Sequence, residues 1–132
     1  MFQVNNATGA IVMNVGDTGS IEVHATRSDS EDWGEDDRAV FTVRNGAGQN
    51  IITRIYHLDD AELGNGVVLI QFHNDDTDDL DPGVYSWELR YVVNPYYDSN
   101  GNIVDGDIVR TPGVLGDGEP MSITLKAVQA KI

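Results

Sequence analysis

The chain has 132 residues, the size of one ordinary domain with a single hydrophobic core. Its 22 acidic and 8 basic residues give a formal net charge of -14, which disfavours nucleic acid and anionic membrane surfaces as partners. The absence of cysteine excludes disulfides, thiolate metal sites and cysteine nucleophiles. We predict one domain over residues 1–132. The opening "MFQVNNATGA" lacks the basic and apolar regions of a secretory signal, so we expect no signal peptide.

Hydrophobic and polar residues alternate with period two along the whole chain, which predicts β-strands rather than helices. We predict eight strands, at 10–15, 20–26, 39–44, 51–57, 67–72, 83–93, 103–111 and 121–128. At most one short helical turn is expected, within 28–37. Glycine, asparagine and proline at the connections supply the turns between the strands.

The sequence Asn100-Gly101 is the strongest turn signal. As a two-residue type I′ turn it would place Val92 opposite Val109 and create a long protruding hairpin near 94–111. Short strands at regular spacing favour a two-sheet sandwich or a barrel over a βαβ layout. We therefore expect an all-β fold, an antiparallel β-sandwich of about seven to nine strands, immunoglobulin-like in outline.

The predicted core takes the inward residues of these strands. They are Phe41, Ile55, Leu69, Tyr85, Trp87, Leu89, Ile123 and Leu125. The stretch "NIITRIYH" allows either register, and a slip of one residue would replace Ile55 by Ile52 and Tyr56.

The carboxylates are concentrated in three loop-like regions, at 28–37, 59–81 and 98–119. Such charge runs usually lie in solvent and discourage edge-to-edge association. Calcium binding is the alternative, because clustered carboxylates on a loop are the ligands that calcium takes. The candidate ligands are Asp76, Asp78 and Asp81. We favour a solvated turn and expect no metal and no cofactor.

No catalytic motif is present, so no catalytic residue is proposed. A carboxylate pair for glycoside hydrolysis is the least favoured alternative, since partners from distant strands leave no sequence signal. Trp33 lies among six carboxylates in "SDSEDWGEDD". It is either an anchor folded under its own loop, which we favour, or an exposed contact for a partner or a sugar ring.

The stretch "LDPGVYSWELRY", the hairpin with "NGNIV" and the final "SITL" carry a resemblance to a known family. With "GDTGSIEV" and "RAVFTVRN", they resemble small β-sandwich domains of tailed-bacteriophage virion proteins. The N-terminal domain of siphophage upper baseplate proteins and related tail or head attachment domains are the nearest in type. The resemblance covers residues 14 to 128. It implies a non-enzymatic virion part of tail, baseplate or head-decoration type, made in the cytoplasm of the host bacterium.

The resemblance also implies partners, namely other copies of the chain or other virion proteins, and a homo-oligomer. The predicted hairpin is the candidate docking element because an apolar-edged arm suits strand addition. Its partner-binding candidates are Pro95, Tyr96, Tyr97, Ile103 and Ile108, with Trp33 as a further candidate outside the hairpin. The alternative function is a carbohydrate- or calcium-binding β-sandwich module of a bacterial protein.

Overall fold

The computed structural model describes residues 2–5, 8–24, 32–60, 62–101, 103–109 and 121–127, and it gives the backbone alone over 94–96 and 103–109. Within these residues there are nine strands and one short helix. They are β1 (Phe2–Val4), β2 (Ile11–Asn14), β3 (Gly19–His24), β4 (Arg38–Arg44), β5 (Asn50–His57), β6 (Val67–Phe72), α1 (Asn74–Thr77), β7 (Gly83–Tyr97), β8 (Ile103–Val109) and β9 (Met121–Lys126). The prediction of an all-β chain is therefore confirmed. No helix in this part of the chain has the length and apolar character needed to cross a membrane.

The strands form two sheets. The larger has seven strands in the order β1-β2-β9-β7-β4-β5, with β8 also paired to β7, and the smaller consists of β3 and β6. β2 runs parallel to β9, whereas the other pairings are antiparallel. The expectation of a purely antiparallel arrangement is wrong at this one pair. The long strand β7 is central, since it contacts β4 on one edge and both β8 and β9 on the other.

Both sheets contribute to one hydrophobic core. Phe41 of β4 contacts Phe72 of β6 edge to face, with ring centroids 5.8 Å apart, and Trp87 of β7 at 5.8 Å. The indole Nε1 of Trp87 donates a hydrogen bond to the carbonyl of Gly9 at 3.0 Å. Buried aromatic groups of this size supply much of the apolar area that a small domain removes from water.

Five of the predicted core residues are buried: Phe41, Trp87, Leu89, Ile123 and Leu125. Tyr85 is half-buried and packs against the core. Two predictions are wrong by one residue of register. Ile55 is 40% exposed, while Ile52 and Tyr56 pack against the core as the other register requires. On β6, Val68, Ile70 and Phe72 point inward and Leu69 is only half-buried, because the run "VVLI" is apolar on both faces and alternation cannot orient it.

The turn of the β7–β8 hairpin also differs from the prediction. The Gly101 N–H donates to the Asp98 carbonyl at 3.1 Å, so the turn spans 98–101 instead of closing over Asn100 and Gly101 alone. Gly101 has φ of +82°, the left-handed region where glycine carries no steric penalty. The Asp98 Oδ1 accepts the Asn100 N–H at 2.9 Å. Consequently Tyr91, not Val92, lies opposite Val109.

Candidate functional site

The aspartate-rich residues 75–81, which we call the acidic segment, precede β7 and begin within the single helical turn α1. The backbone N–H of His73 donates to Asp76 Oδ2 at 2.7 Å, which closes the start of this turn. Arg54, on the edge strand β5, forms an ion pair with Asp76 and also donates from Nη1 to the Gln71 carbonyl at 2.6 Å. Asp76 therefore ties the turn to β5, and its carboxylate has a structural role.

The charge state of Asp76 follows from these contacts. Burial disfavours the charged carboxylate, but the hydrogen bonds from Arg54 and from the His73 N–H, together with the positive charge of Arg54, outweigh it and lower the pKa of Asp76. Asp78 and Asp81 are exposed, and the Asp81 carbonyl accepts a hydrogen bond from the Tyr85 hydroxyl at 2.7 Å. Across the described side chains, no three acidic or histidine residues are grouped as a metal site would require.

A second contact fixes the same segment. Thr77, the last residue of α1, is buried, and its Oγ1 accepts the backbone N–H of Gly16 at 2.8 Å. Gly16 lies in the β2–β3 connection with φ of +82°. The acidic segment is thus held at two points by distant parts of the chain, and only its remaining aspartates face solvent.

Trp33 is an anchor. It is 3% exposed, and its ring lies 5.0 Å from that of Tyr91, centroid to centroid. The Trp33 N–H donates to Asn65 Oδ1 at 2.7 Å, and Asn65 Nδ2 donates back to the Trp33 carbonyl at 2.8 Å. This reciprocal pair satisfies the loop backbone as a strand partner would. Trp33 as an exposed contact for a partner or a sugar is therefore wrong.

Tyr91 closes the end of the core beneath Trp33. Its hydroxyl donates to the Gly66 carbonyl at 2.9 Å, joining the seven-stranded sheet to the connection that leads into β6. Burial raises the pKa of Tyr91, so the phenol stays neutral at physiological pH. The raised pKa of Tyr91 therefore follows from the burial of its side chain.

The predicted hairpin is present as an arm, which we define as residues 93–97 of β7 together with β8. The pairing of β7 with β4 ends at Val92, whereas its pairing with β8 continues to Tyr97. The register shifts between Val93 and Tyr96 and again between Tyr96 and Tyr97, so the arm is irregular. Tyr97 is 47% exposed. The side chains of Pro95, Tyr96, Ile103 and Ile108 lie outside the described residues, although the backbone pairs Ile103 with Tyr97 and Ile108 with Val92.

Strand β5 is an edge of the large sheet. It pairs with β4 on one side, and no described strand pairs with its other side. It has eight residues, contains neither proline nor lysine, and presents the exposed Ile55. Charged residues, prolines and short length are the usual protection of sheet edges. β5 has little of that protection beyond Arg54.

The sequence analysis missed a group of basic residues on the outer face of the large sheet, the side away from the core. Arg44 Nη1 contacts Glu88 Oε1 at 2.8 Å, and Arg90 Nε lies 3.6 Å from the same oxygen. The signal was available, because alternation places Glu88 and Arg90 opposite the core residues of β7. Four of the six arginines lie in described strands.

Comparison of the chain with protein-family models, with curated proteins and with solved structures gave no match. The candidate site is therefore defined by geometry alone: an arm with an exposed tyrosine, an edge strand and a basic outer face.

Proposed function

We propose that this protein is a non-enzymatic structural component of a tailed-bacteriophage or prophage particle, of tail, baseplate or head-decoration type. It acts by binding other copies of itself or other virion proteins. The most specific support is the arm, in which five residues of β7 from Val93 to Tyr97 extend beyond the last residue paired with β4.

The strand connections support an immunoglobulin-like sandwich as the scaffold of this function. The β3–β6 pair and the seven-stranded sheet share one core. β4 lies between β5 and β7, and β2 runs parallel to the last strand β9. Two sheets packed over a shared core of inward-facing residues are the arrangement of an immunoglobulin-like sandwich. A body of this kind offers surfaces and strand edges to a partner.

The arm supports assembly because its backbone is paired on one side only. Within the described residues, Val93, Tyr96 and Tyr97 pair with β8, and no strand pairs with 93–97 on the side that β4 occupies earlier in β7. Unpaired N–H and C=O groups accept an added strand from a neighbouring chain. The exposed ring of Tyr97 adds the amphipathic aromatic surface that is enriched at protein interfaces.

Solution mass tests the proposal. We expect the chain to form an oligomer, or a complex with a second virion protein, and Tyr97→Asp to weaken it by about tenfold or more because a charge would enter the interface. Leu63→Asp is the matched control, since Leu63 is a comparably exposed apolar residue on the β5–β6 connection, outside the residues that form the arm. Head or tail genes beside the coding sequence would support the virion assignment. A chain that stays monomeric and is encoded among metabolic genes would contradict it.

A further inference from the structure

The outer face of the large sheet carries positive charge on an otherwise acidic protein. Its described charged side chains are Arg38 and Arg44 of β4, Arg90 and Glu88 of β7, and Lys126 of β9, which we call the basic face. Four cations and one carboxylate give the basic face a formal charge of +3. Because the whole chain carries -14, the rest of the chain carries -17. Acidic residues are therefore concentrated in the loops, and basic residues on the outer face of the large sheet.

The one carboxylate does not neutralise its neighbours. Glu88 Oε1 accepts the hydrogen bond from Arg44 at 2.8 Å, and Arg90 Nε, at 3.6 Å from that same oxygen, has no hydrogen-bond partner. The side chains of Arg44 and Arg90 are 28% and 39% exposed. Two guanidinium groups therefore share one anion. Arg44 Nε donates to Asn50 Oδ1 at 2.9 Å and Arg90 Nε is buried, so a further carboxylate would bind at the partly exposed ends of the two guanidinium groups.

Apolar residues lie among these charges. Val84 and Ile55 are 67% and 40% exposed on this face, while Val40 and Val92 are buried on it at 7% and 2%. Arginine stems cover apolar surface while their charged heads stay in water. A surface that combines arginine with exposed aliphatic residues, and has few carboxylates of its own, resembles the composition of protein interfaces.

We infer that the basic face binds an acidic surface of a second copy of this chain, in a head-to-tail contact. Charge complementarity favours this occupant, since the chain outside the basic face carries a formal charge of -17, the total of -14 less the +3 of the face. Two basic faces would repel each other, which disfavours a twofold contact through this surface. The segment 75–81 has the complementary charge, because its exposed residues include Asp75, Asp78, Asp79 and Asp81.

This contact rests on the proposed assembly function but uses a surface different from the arm. A heterologous contact closes into a ring or continues as a stack of subunits. Because the attraction is between exposed charges, salt screens it, with a Debye length of about 10 Å at 0.1 M and about 3 Å at 1 M. Assembly should therefore weaken as salt increases.

Charge reversal tests the inference by sedimentation. The double variant Arg90→Glu, Lys126→Glu changes the formal charge of the basic face from +3 to -1, because each substitution removes two units of charge. The double variant Asp78→Lys, Asp79→Lys changes that of the four exposed aspartates of the acidic segment from -4 to 0. We expect each alone to weaken assembly of the chain about tenfold or more at low salt. Mixed in equal amounts they should regain mass, because each supplies the charge that the other lacks. Circular dichroism and melting temperature establish that both variants are folded.

The matched control is Glu22→Lys, Asp59→Lys, which changes net charge as much as the acidic-segment variant does, at exposed sites outside both surfaces. It should leave assembly within about twofold of the unmodified chain. A mixture that fails to regain mass, or assembly that does not change with salt, would overturn the inference. If assembly is insensitive to salt and is lost in Tyr97→Asp, the proposed function stands and the head-to-tail contact fails.

Discussion

The two ends of β7 differ in how the rest of the chain holds them. Before the strand, the acidic segment is fixed by the Arg54–Asp76 ion pair and by the hydrogen bond from Gly16 to Thr77. After Val92, the strand leaves β4 and the described pairing is with β8 alone. The turn at 98–101 contains the local bonds from Gly101 to the Asp98 carbonyl and from Asn100 to the Asp98 carboxylate.

Both ends of β7 have an aspartate beside a turn, and the hydrogen bonds described for the two carboxylates differ in range. Asp76 joins elements 22 residues apart in sequence, whereas the Asp98 carboxylate accepts a hydrogen bond from an N–H two residues away. Local sequence determines whether an acid can cap a turn. Whether it also anchors the fold depends on which cation the distant chain brings near, as Arg54 does for Asp76.

The largest expected difference between the ends is in packing. Trp87→Ala should lower the free energy of unfolding by about 3–5 kcal/mol, because it leaves a cavity in a core where the side chain is fully buried. Tyr97→Ala, at the exposed end of the same strand, should change it by no more than about 0.5 kcal/mol in the monomer. Chemical denaturation measures both. Equal losses would mean that the arm packs on the body as tightly as the core does.

The ion pair at the fixed end gives the next largest effect. Asp76→Asn should cost about 1–3 kcal/mol, because it leaves a partly buried guanidinium without its counter-ion. Asp79→Asn is the control on the same segment and should be nearly neutral, since Asp79 is exposed. If the two variants lose the same stability, the segment is held by Thr77 and its backbone rather than by Asp76.

The same pair predicts a pH dependence. The pKa of Asp76 is lowered in the folded protein, so its contribution is fully present above the ordinary carboxyl pKa of about 4 and is lost as pH falls through the lower folded value. The stability difference between the unmodified chain and Asp76→Asn should therefore be constant near neutrality and shrink below about pH 4. Denaturation at a series of pH values measures it. A stability difference that persists unchanged below about pH 4 would show that the charge of Asp76 is not its cause.

These contrasts also explain which features could be predicted from sequence. Alternation orients a strand when one face is polar, as in β7, where Trp87 and Leu89 were placed correctly in the core. It fails where both faces are apolar, as at Leu69, and where an edge strand exposes an isoleucine, as at Ile55. The Arg54–Asp76 pair and the Trp33–Asn65 pair join distant segments, and no local pattern encodes them. The arm was predicted, but its register was not, because the turn spans 98–101 instead of closing over Asn100 and Gly101 alone.

Calcium should have the smallest effect. Asp76 is engaged by Arg54, so among the proposed ligands only Asp78 and Asp81 keep exposed carboxylates for a cation. We expect millimolar calcium to leave the melting temperature of the protein unchanged. A ligand present at 100 times its dissociation constant would add about 2.7 kcal/mol, an effect easily seen in a thermal melt. A rise of several degrees that disappears in Asp78→Asn and persists in Asp59→Asn would establish a calcium site and would mean that the fixed end of β7 binds an ion as well as an arginine.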